Sequence, residues 1–286
     1  MTITREWVKS LPPGKKKKHY KQIIKDYQAN DKWAMKALQN TCVLITSHPG
    51  NRPFLQACVD THEKLGLWMI LAYDNYWSPE AKTLSYNSLM PKRNVFDKVH
   101  TFVIPNYQTW GGVLYPYFWL LKLGLQTANS FEYVYCTNGD CVLEKPENFS
   151  KLFDMMGDAD IIGCGWEKTV HGRELFNTTG FLAKTSAANK IMKHFQDYLI
   201  PLDNYEKYAE EMGNTESRFA IAIKDLNLNY VKVPENPFNT QSHKPGQGTW
   251  YKTIGFRHIH GEWGYGMKHN KQKIPWEYID KTYLTR

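Results

Sequence analysis

The 286-residue chain has no long hydrophobic stretch. Its longest apolar run, Val113 to Leu125, is broken by Pro116 and Lys122 and is too short to span a bilayer. The N-terminus, Met-Thr-Ile-Thr-Arg-Glu-Trp, has no apolar core of the signal-peptide type. The five cysteines include no CxxC pair, which argues against a zinc site built on paired thiolates. A Walker loop, a GxGxxG turn, internal repeats and low-complexity tracts are also missing. Together these absences predict a soluble, cytoplasmic protein with no transmembrane segment. In that setting Asn148-Phe-Ser and Asn177-Thr-Thr, which fit the glycosylation sequon, carry no meaning. Cys42, Cys136 and Cys164 lie in apolar runs, where a thiol behaves as a small buried hydrophobe.

What is present is ample apolar material: 42% hydrophobic and 14% aromatic residues, enough for one large domain with appendages. The net charge of +8 is unevenly spread. Residues 1–40 carry +7 and residues 241–286 carry +5, which leaves −4 for the stretch between. Basic ends suit an anionic partner, a nucleic acid or an acidic membrane surface; the plainer alternative is a solvated lysine-rich face.

Periodicity divides the chain. Lys15 to Gln39 reads as a basic amphipathic helix, with Tyr20, Ile23, Ile24 and Tyr27 at helical spacing after the break at Leu11-Pro-Pro-Gly14. Beyond Thr41, short apolar runs predict strands at Val43–Thr46, Trp68–Ala72 (running out at Asp74), His100–Ile104, Tyr133–Cys136 and Asp160–Cys164. Helical patterns lie between them, at Phe54–Leu65 with Gly66 as the cap, Val113–Ala128 and Asn148–Met156. Further on, strands are predicted at Phe181–Ala183 and Val231–Val233, with helices at Ala187–Leu199 and Glu216–Leu226, and a loop over Pro234–Gly248. Strands alternating with helices predict an α/β fold with a mixed, mainly parallel sheet flanked by helices. Such sheets bind ligands beyond the carboxyl ends of their strands, where Asp74 and Asn138–Asp140 fall.

The segment Tyr133-Val-Tyr-Cys-Thr-Asn-Gly-Asp140 is the most informative. A strand runs into a turn that carries one carboxylate, and Gly139 lets the backbone pass closely beside it. An acid so placed suits a hard divalent cation shared with a nucleotide's phosphates. Asn138-Gly139 between two apolar runs is equally a β-hairpin signal.

In order along the chain, the motifs Val43-Leu-Ile-Thr-Ser-His48 with Arg52, Ile70-Leu-Ala-Tyr-Asp74, the apolar helix of Gly111 to Ala128, and Glu132 to Asp140 resemble those of nucleotide-sugar-dependent glycosyltransferases of the GT-A fold. Phe176-Asn-Thr-Thr-Gly-Phe-Leu182 is similar to the segment that shapes the acceptor site in that family. Gly213-Asn-Thr-Glu-Ser-Arg-Phe-Ala220 is similar to the helix start that carries the base of inverting members.

The resemblance implies a single GT-A-like, Rossmann-like domain over residues 41–266. A basic helical extension (1–40) would precede it, and a tail (267–286) would pack on it. It also implies a nucleoside-diphosphate sugar as donor and manganese or magnesium as cofactor. The implied metal ligands are Asp140 and His260; the implied nucleotide contacts are Ser47, Arg52, Asp74 and Asn138; the implied base is Glu216. Two departures stand out: Asn138 occupies the place of the first acid of the family's Asp-x-Asp motif, and Thr215 stands where an acid precedes the base.

Each assignment has a plainer counterpart. Ser47 and Asp74 could be ordinary turn residues, Arg52 a surface ion-pair partner and Glu216 a solvated first-turn acid. His260 competes with His258, and Trp263 and Tyr265 could pack rather than stack on a sugar or base. For the acceptor, the basic ends point to DNA carrying hydroxymethylated pyrimidines, with a glycan or lipid-linked acceptor as the alternative. A nucleotidyltransferase and a non-catalytic nucleic-acid-binding protein are the rival functions.

Overall fold

A computed structural model describes residues 13–14, 17–18, 38, 40–47, 51–74, 97–102, 114–163, 166–168, 174–176, 178, 180–196, 215–233, 249–251 and 255–258. The basic helix expected over residues 1–40 and the tail over 267–286 lie outside these, apart from a few isolated positions. In chain order the elements are β1 (Thr41–Ser47), α1 (Arg52–His62), β2 (Trp68–Asp74), β3 (Lys98–Phe102), α2 (Leu114–Ala128), β4 (Tyr133–Asn138), β5 (Cys141–Leu143), α3 (Lys151–Met156), β6 (Ile161–Gly163), β7 (Trp166–Lys168), β8 (Glu174–Phe176), β9 (Gly180–Lys184), α4 (Thr185–Gln196), α5 (Thr215–Asp225), β10 (Tyr230–Lys232), β11 (Thr249–Tyr251) and β12 (Phe256–His258). Among the described residues no helix is long and apolar enough to cross a membrane.

The predicted α/β architecture is what the chain forms. Seven strands make one sheet in the order β10-β6-β9-β4-β1-β2-β3. The β3-β2-β1-β4 half is parallel throughout, and β6 and β10 pair in parallel at the other edge. Between the two halves β9 runs antiparallel to both β4 and β6. Two small sheets that sequence periodicity did not reveal stand beside this one: β7 with β8, and the three-stranded β11-β12-β5. All five of these strands are three residues long, too short to show an alternation.

Both faces of the central strands are buried, which is why β1 and β4 read as continuous apolar runs rather than alternating ones. Val43, Ile45, Met69, Leu71, Tyr133 and Tyr135 pack on one side, with α1 and α3 over them. Cys42, Leu44, Ile70, Ala72, Val134 and Cys136 pack on the other, under α2, α4 and α5. The nearly all-apolar α2 is accordingly buried along its described length, at Leu120, Leu121, Leu125 and Ala128.

At the amino edge a polar knot joins the antiparallel half. Lys184 Nζ donates to the Asp158 carbonyl at 2.8 Å and to Asp160 Oδ1 at 3.0 Å, while the Asn229 N–H donates to Asp160 Oδ2 at 3.0 Å. Burial would raise the Asp160 carboxyl, but the bonds from Lys184 and Asn229 outweigh it and hold the group below its usual range.

The closeness of α2 to the sheet gives a direct test. A methyl group on residue 124 would come within 2.2 Å of Leu44 Cδ1 and 2.6 Å of Cδ2, and Leu44 is fully buried. Gly124→Ala gains roughly 1 kcal/mol of helix propensity. Overpacking costs about 1–3 kcal/mol and is expected to win, because both branches of Leu44 are blocked. Calorimetry should show Tm lowered by about 3–6 °C, whereas an unchanged or higher Tm would mean that the helix can lift away at no cost.

Candidate functional site

In an open α/β sheet the ligand crevice lies beyond the carboxyl ends of the strands, where the strand order reverses. Here that point is the gap between β1 and β4. From β1 the chain moves outward through β2 to β3, then crosses back to place β4 on the other side of β1. The register brings the relevant ends level. Thr46 is the Cα partner of Asn138, and Ser47 is the partner of Tyr73, one residue before Asp74. Three of the predicted positions, Ser47, Asp74 and Asn138, therefore fall on one edge across three adjacent strands. The side chains of Arg52 and Asp74 lie outside the described residues, as does the whole of His260.

Beyond Asn138 the ladder continues for one more bond: the Gly139 N–H donates to the Thr46 carbonyl at 2.8 Å. Gly139 is packed on β1 so closely that a methyl group there would meet Ser47 Oγ at 2.3 Å and Ser47 Cβ at 2.8 Å. Only glycine allows this approach. Ser47 itself is 1% exposed, and its hydroxyl has no hydrogen-bond partner among the described residues. It underlies the turn. The hairpin alternative fails, because β5 does not fold back on β4. It leaves the sheet and pairs antiparallel with β12, so that Cys141 lies opposite His258. A strand from late in the chain thus ends beside Asp140, two residues before His260. Phe256 of β12 is fully buried and seats on Gly180, which pairs with Thr137 of β4. The second sheet is in this way anchored to the same edge.

Asp140 is 6% exposed, and its Oδ1 accepts a weak hydrogen bond from the Cys141 thiol at 3.8 Å. Beneath the turn lies a group that sequence reasoning did not single out. The Cys58 thiol donates to the Asn138 carbonyl at 3.5 Å. Burial first, and then the Asp140 charge, push the Cys58 and Cys141 thiols well above their usual range, so both stay neutral donors. His62, one helical turn after Cys58, donates from Nδ1 to the Cys58 carbonyl at 2.8 Å and stacks on Tyr135 at 5.9 Å. Its Nε2 is buried without a partner among the described residues. Burial lowers its pKa to about 4. The Cys58–His62 spacing of four on an apolar helix was the available signal. Polar residues at that interval on the buried face are members of the core, not of the surface.

Glu216 reaches the same edge through α5. That helix precedes β10, whose first residue, Tyr230, pairs with Ile161 at the amino edge, so α5 starts at the carboxyl edge. Phe219, one turn after Glu216, stacks on Phe176 at 5.9 Å and tilts against Phe181 at 5.5 Å. Phe181 is the partner of Cys136, two residues before Asn138. Glu216 is half-buried in the first turn, where the helix dipole favours an acid. Arg218 beside it is buried, a cation at the carboxyl edge that composition does not distinguish from surface arginines. Among the described residues no group of three His, Cys, Asp or Glu side chains could by itself hold a metal ion.

No family model and no curated protein matches the chain. Among solved structures it is similar to a "putative nucleotide-diphospho-sugar transferase" from Desulfovibrio desulfuricans G20, with 12% identity and a TM-score of 0.38 over 68% of this chain and 79% of that one. It is the geometry of the edge, and not this likeness, that bears on function.

The buried imidazole makes stability pH-dependent. His62 has its folded pKa lowered to about 4 from an ordinary 6.5, so the unfolded chain binds more protons between those values. Its contribution is complete above the unfolded pKa and is lost as pH falls toward 4, amounting to roughly 3 kcal/mol. In urea melts from pH 7 to 4, His62→Gln is expected to flatten this part of the profile. An unchanged slope would mean that His62 is not held neutral.

Proposed function

We propose that the chain is a glycosyltransferase that moves a sugar from a nucleoside diphosphate to a hydroxyl acceptor, with inversion. The observation that supports this reading is that the turn Asn138-Gly-Asp140, the end of β2 at Asp74 and the end of β12 lie together at the β1/β4 reversal. Three of the motifs that resemble the GT-A fold run through β1, β2 and β4.

In this reading Asp74 and Asn138 hold the nucleoside, and Ser47 keeps the turn seated on β1. Arg52, with its planar fork, contacts a phosphate. Asp140 offers hard carboxylate oxygen, and one carboxylate plus diphosphate oxygens suits magnesium or manganese, which share phosphates with their protein ligands. His260, two residues beyond the end of β12, would complete the set. When bound, the cation neutralises charge that develops on the leaving diphosphate. The C1–O bond to the diphosphate breaks with its electron pair going to that oxygen, the acceptor oxygen forms the new C1–O bond, and Glu216 takes the acceptor's proton. The buried thiols and His62 under the turn bring no competing charge, so Asp140 supplies the negative charge at this point.

For the acceptor we favour hydroxymethylated pyrimidines in DNA. The support is the +7 carried by residues 1–40. A base inside a duplex would have to be extruded to react.

Two outcomes are expected. In a thermal-shift panel, one nucleoside-diphosphate sugar raises Tm in the presence of manganese by about 5 °C or more at a hundredfold excess over Kd. Asp140→Ala removes that shift and the turnover; full retention of both would overturn the reading. In fluorescence-polarisation titrations, deletion of residues 1–40 weakens DNA binding at least about tenfold and flattens its salt dependence. Unchanged affinity would remove DNA as the acceptor while leaving the donor reaction intact.

A further inference from the structure

The replacement of an acid by Asn138 at the head of the turn has a structural counterpart on β1, and this inference rests on the donor-site reading above. Thr46 is 3% exposed and lies directly across the parallel ladder from Asn138. Its hydroxyl has one proton to donate. The shorter contact, 2.9 Å, is to Asn138 Oδ1; the Thr137 carbonyl is at 3.4 Å. The backbone carbonyl of Asn138 is engaged from the opposite face by the Cys58 thiol. The residue is therefore gripped on both sides of the sheet, and its side-chain oxygen is turned toward β1. An amide is planar, so holding Oδ1 against Thr46 sends Nδ2 away from it. Asn138 is only half-buried, and Nδ2 has no hydrogen-bond partner among the described residues.

We propose that Thr46 is a positioning residue that makes Asn138 a donor-only contact at the nucleotide edge. An Nδ2 group offers two N–H donors and no lone pair. It recognises an oxygen acceptor, a phosphoryl oxygen or the lone pair of a sugar hydroxyl, and it does not ligate a cation. The turn therefore carries a division of labour: Asn138 grips the ligand's oxygen without a metal, and Asp140 alone carries the charge that a metal needs. A carboxylate at position 138 would also accept from Thr46, but its second oxygen would repel phosphate and attract the cation.

The test is calorimetric binding of UDP and GDP to the full chain in EDTA, and of manganese alone, so that no turnover is needed. Asn138→Ala is expected to lower metal-free nucleoside-diphosphate affinity about 5–10-fold, and Thr46→Val about 3–10-fold. Thr46→Ser, which keeps the hydroxyl, stays within about twofold of the parent. The double variant Thr46→Val/Asn138→Ala is no weaker than Asn138→Ala alone, because Thr46 acts only through that amide. Asn138→Asp strengthens manganese binding while weakening metal-free nucleotide binding. If Thr46→Val does not fold, Thr46→Ala takes its place: a loss of about 3–10-fold, restored by Thr46→Ser, supports the proposal, and parent-like binding overturns it. The proposal is overturned if Thr46→Val binds like the parent while Asn138→Ala is impaired, if the two losses multiply, or if Asn138→Asp leaves both affinities unchanged; in each case the donor-site reading stands. If neither diphosphate binds the parent chain with or without manganese, both the proposal and that reading fall.

Discussion

The parallel pairing of β1 with β4 is the constraint on which everything at the carboxyl edge depends. The strand order reverses there, and in open α/β sheets such a reversal is where ligands bind beyond the strand ends. The pairing is in register to its last residue and one bond beyond, through the Gly139 N–H. Because side chains alternate along a strand, a slip of one residue would send Asn138 to the α1 side and Thr137 to the other. Burial on both faces prevents such a slip. Cys42, Leu44, Val134 and Cys136 are locked under α2, α4 and α5, while Val43, Ile45, Tyr133 and Tyr135 are locked under α1 and α3.

The underside of the turn is built to leave charge in one place. Two thiols kept neutral by burial stand beside Asp140, and His62, also kept neutral by burial, bonds to the Cys58 carbonyl. The neutral thiols donate weakly to the Asn138 carbonyl and to Asp140. The packing partner of the same group, Tyr135, is itself edge-on to Phe149 at 5.0 Å, which extends a rigid aromatic floor toward α3.

Much of the sheet was legible because its strands are buried on both faces and separated by helices of ordinary length. The runs Val43–Thr46, Trp68–Ala72 and Tyr133–Cys136 each lie inside an observed strand, and Gly66, with φ near 69°, caps the 3-10 turn Glu63–Leu65 that follows α1. The β3 strand came two residues early, at Lys98 rather than His100. What periodicity could not show was pairing between distant short segments. β5 and β12 are three residues each, and their partnership is a fact of tertiary packing with no local signature. The antiparallel insertion of β9 was hidden for the same reason: a buried strand reads alike in either direction. At the site, Asn138, Asp140 and the start of α5 were visible as departures at strand and helix ends. Thr46 and Cys58 were not, since a threonine within a strand and a cysteine on an apolar helix face are ordinary core residues until the neighbouring strand is in place.

The union of β5 with β12 also sets the order in which the carboxyl edge can be completed. During synthesis the parallel half of the sheet can assemble once β1 to β4 are made, but β5 must wait for β12, a partner far downstream of it. Loop closure over so many residues is a late, entropically costly step. Phe256 is the wedge that locks it, filling the space left by the missing side chain of Gly180. A fragment that stops short of β12 thus carries the Asp140 turn with one flank unsupported.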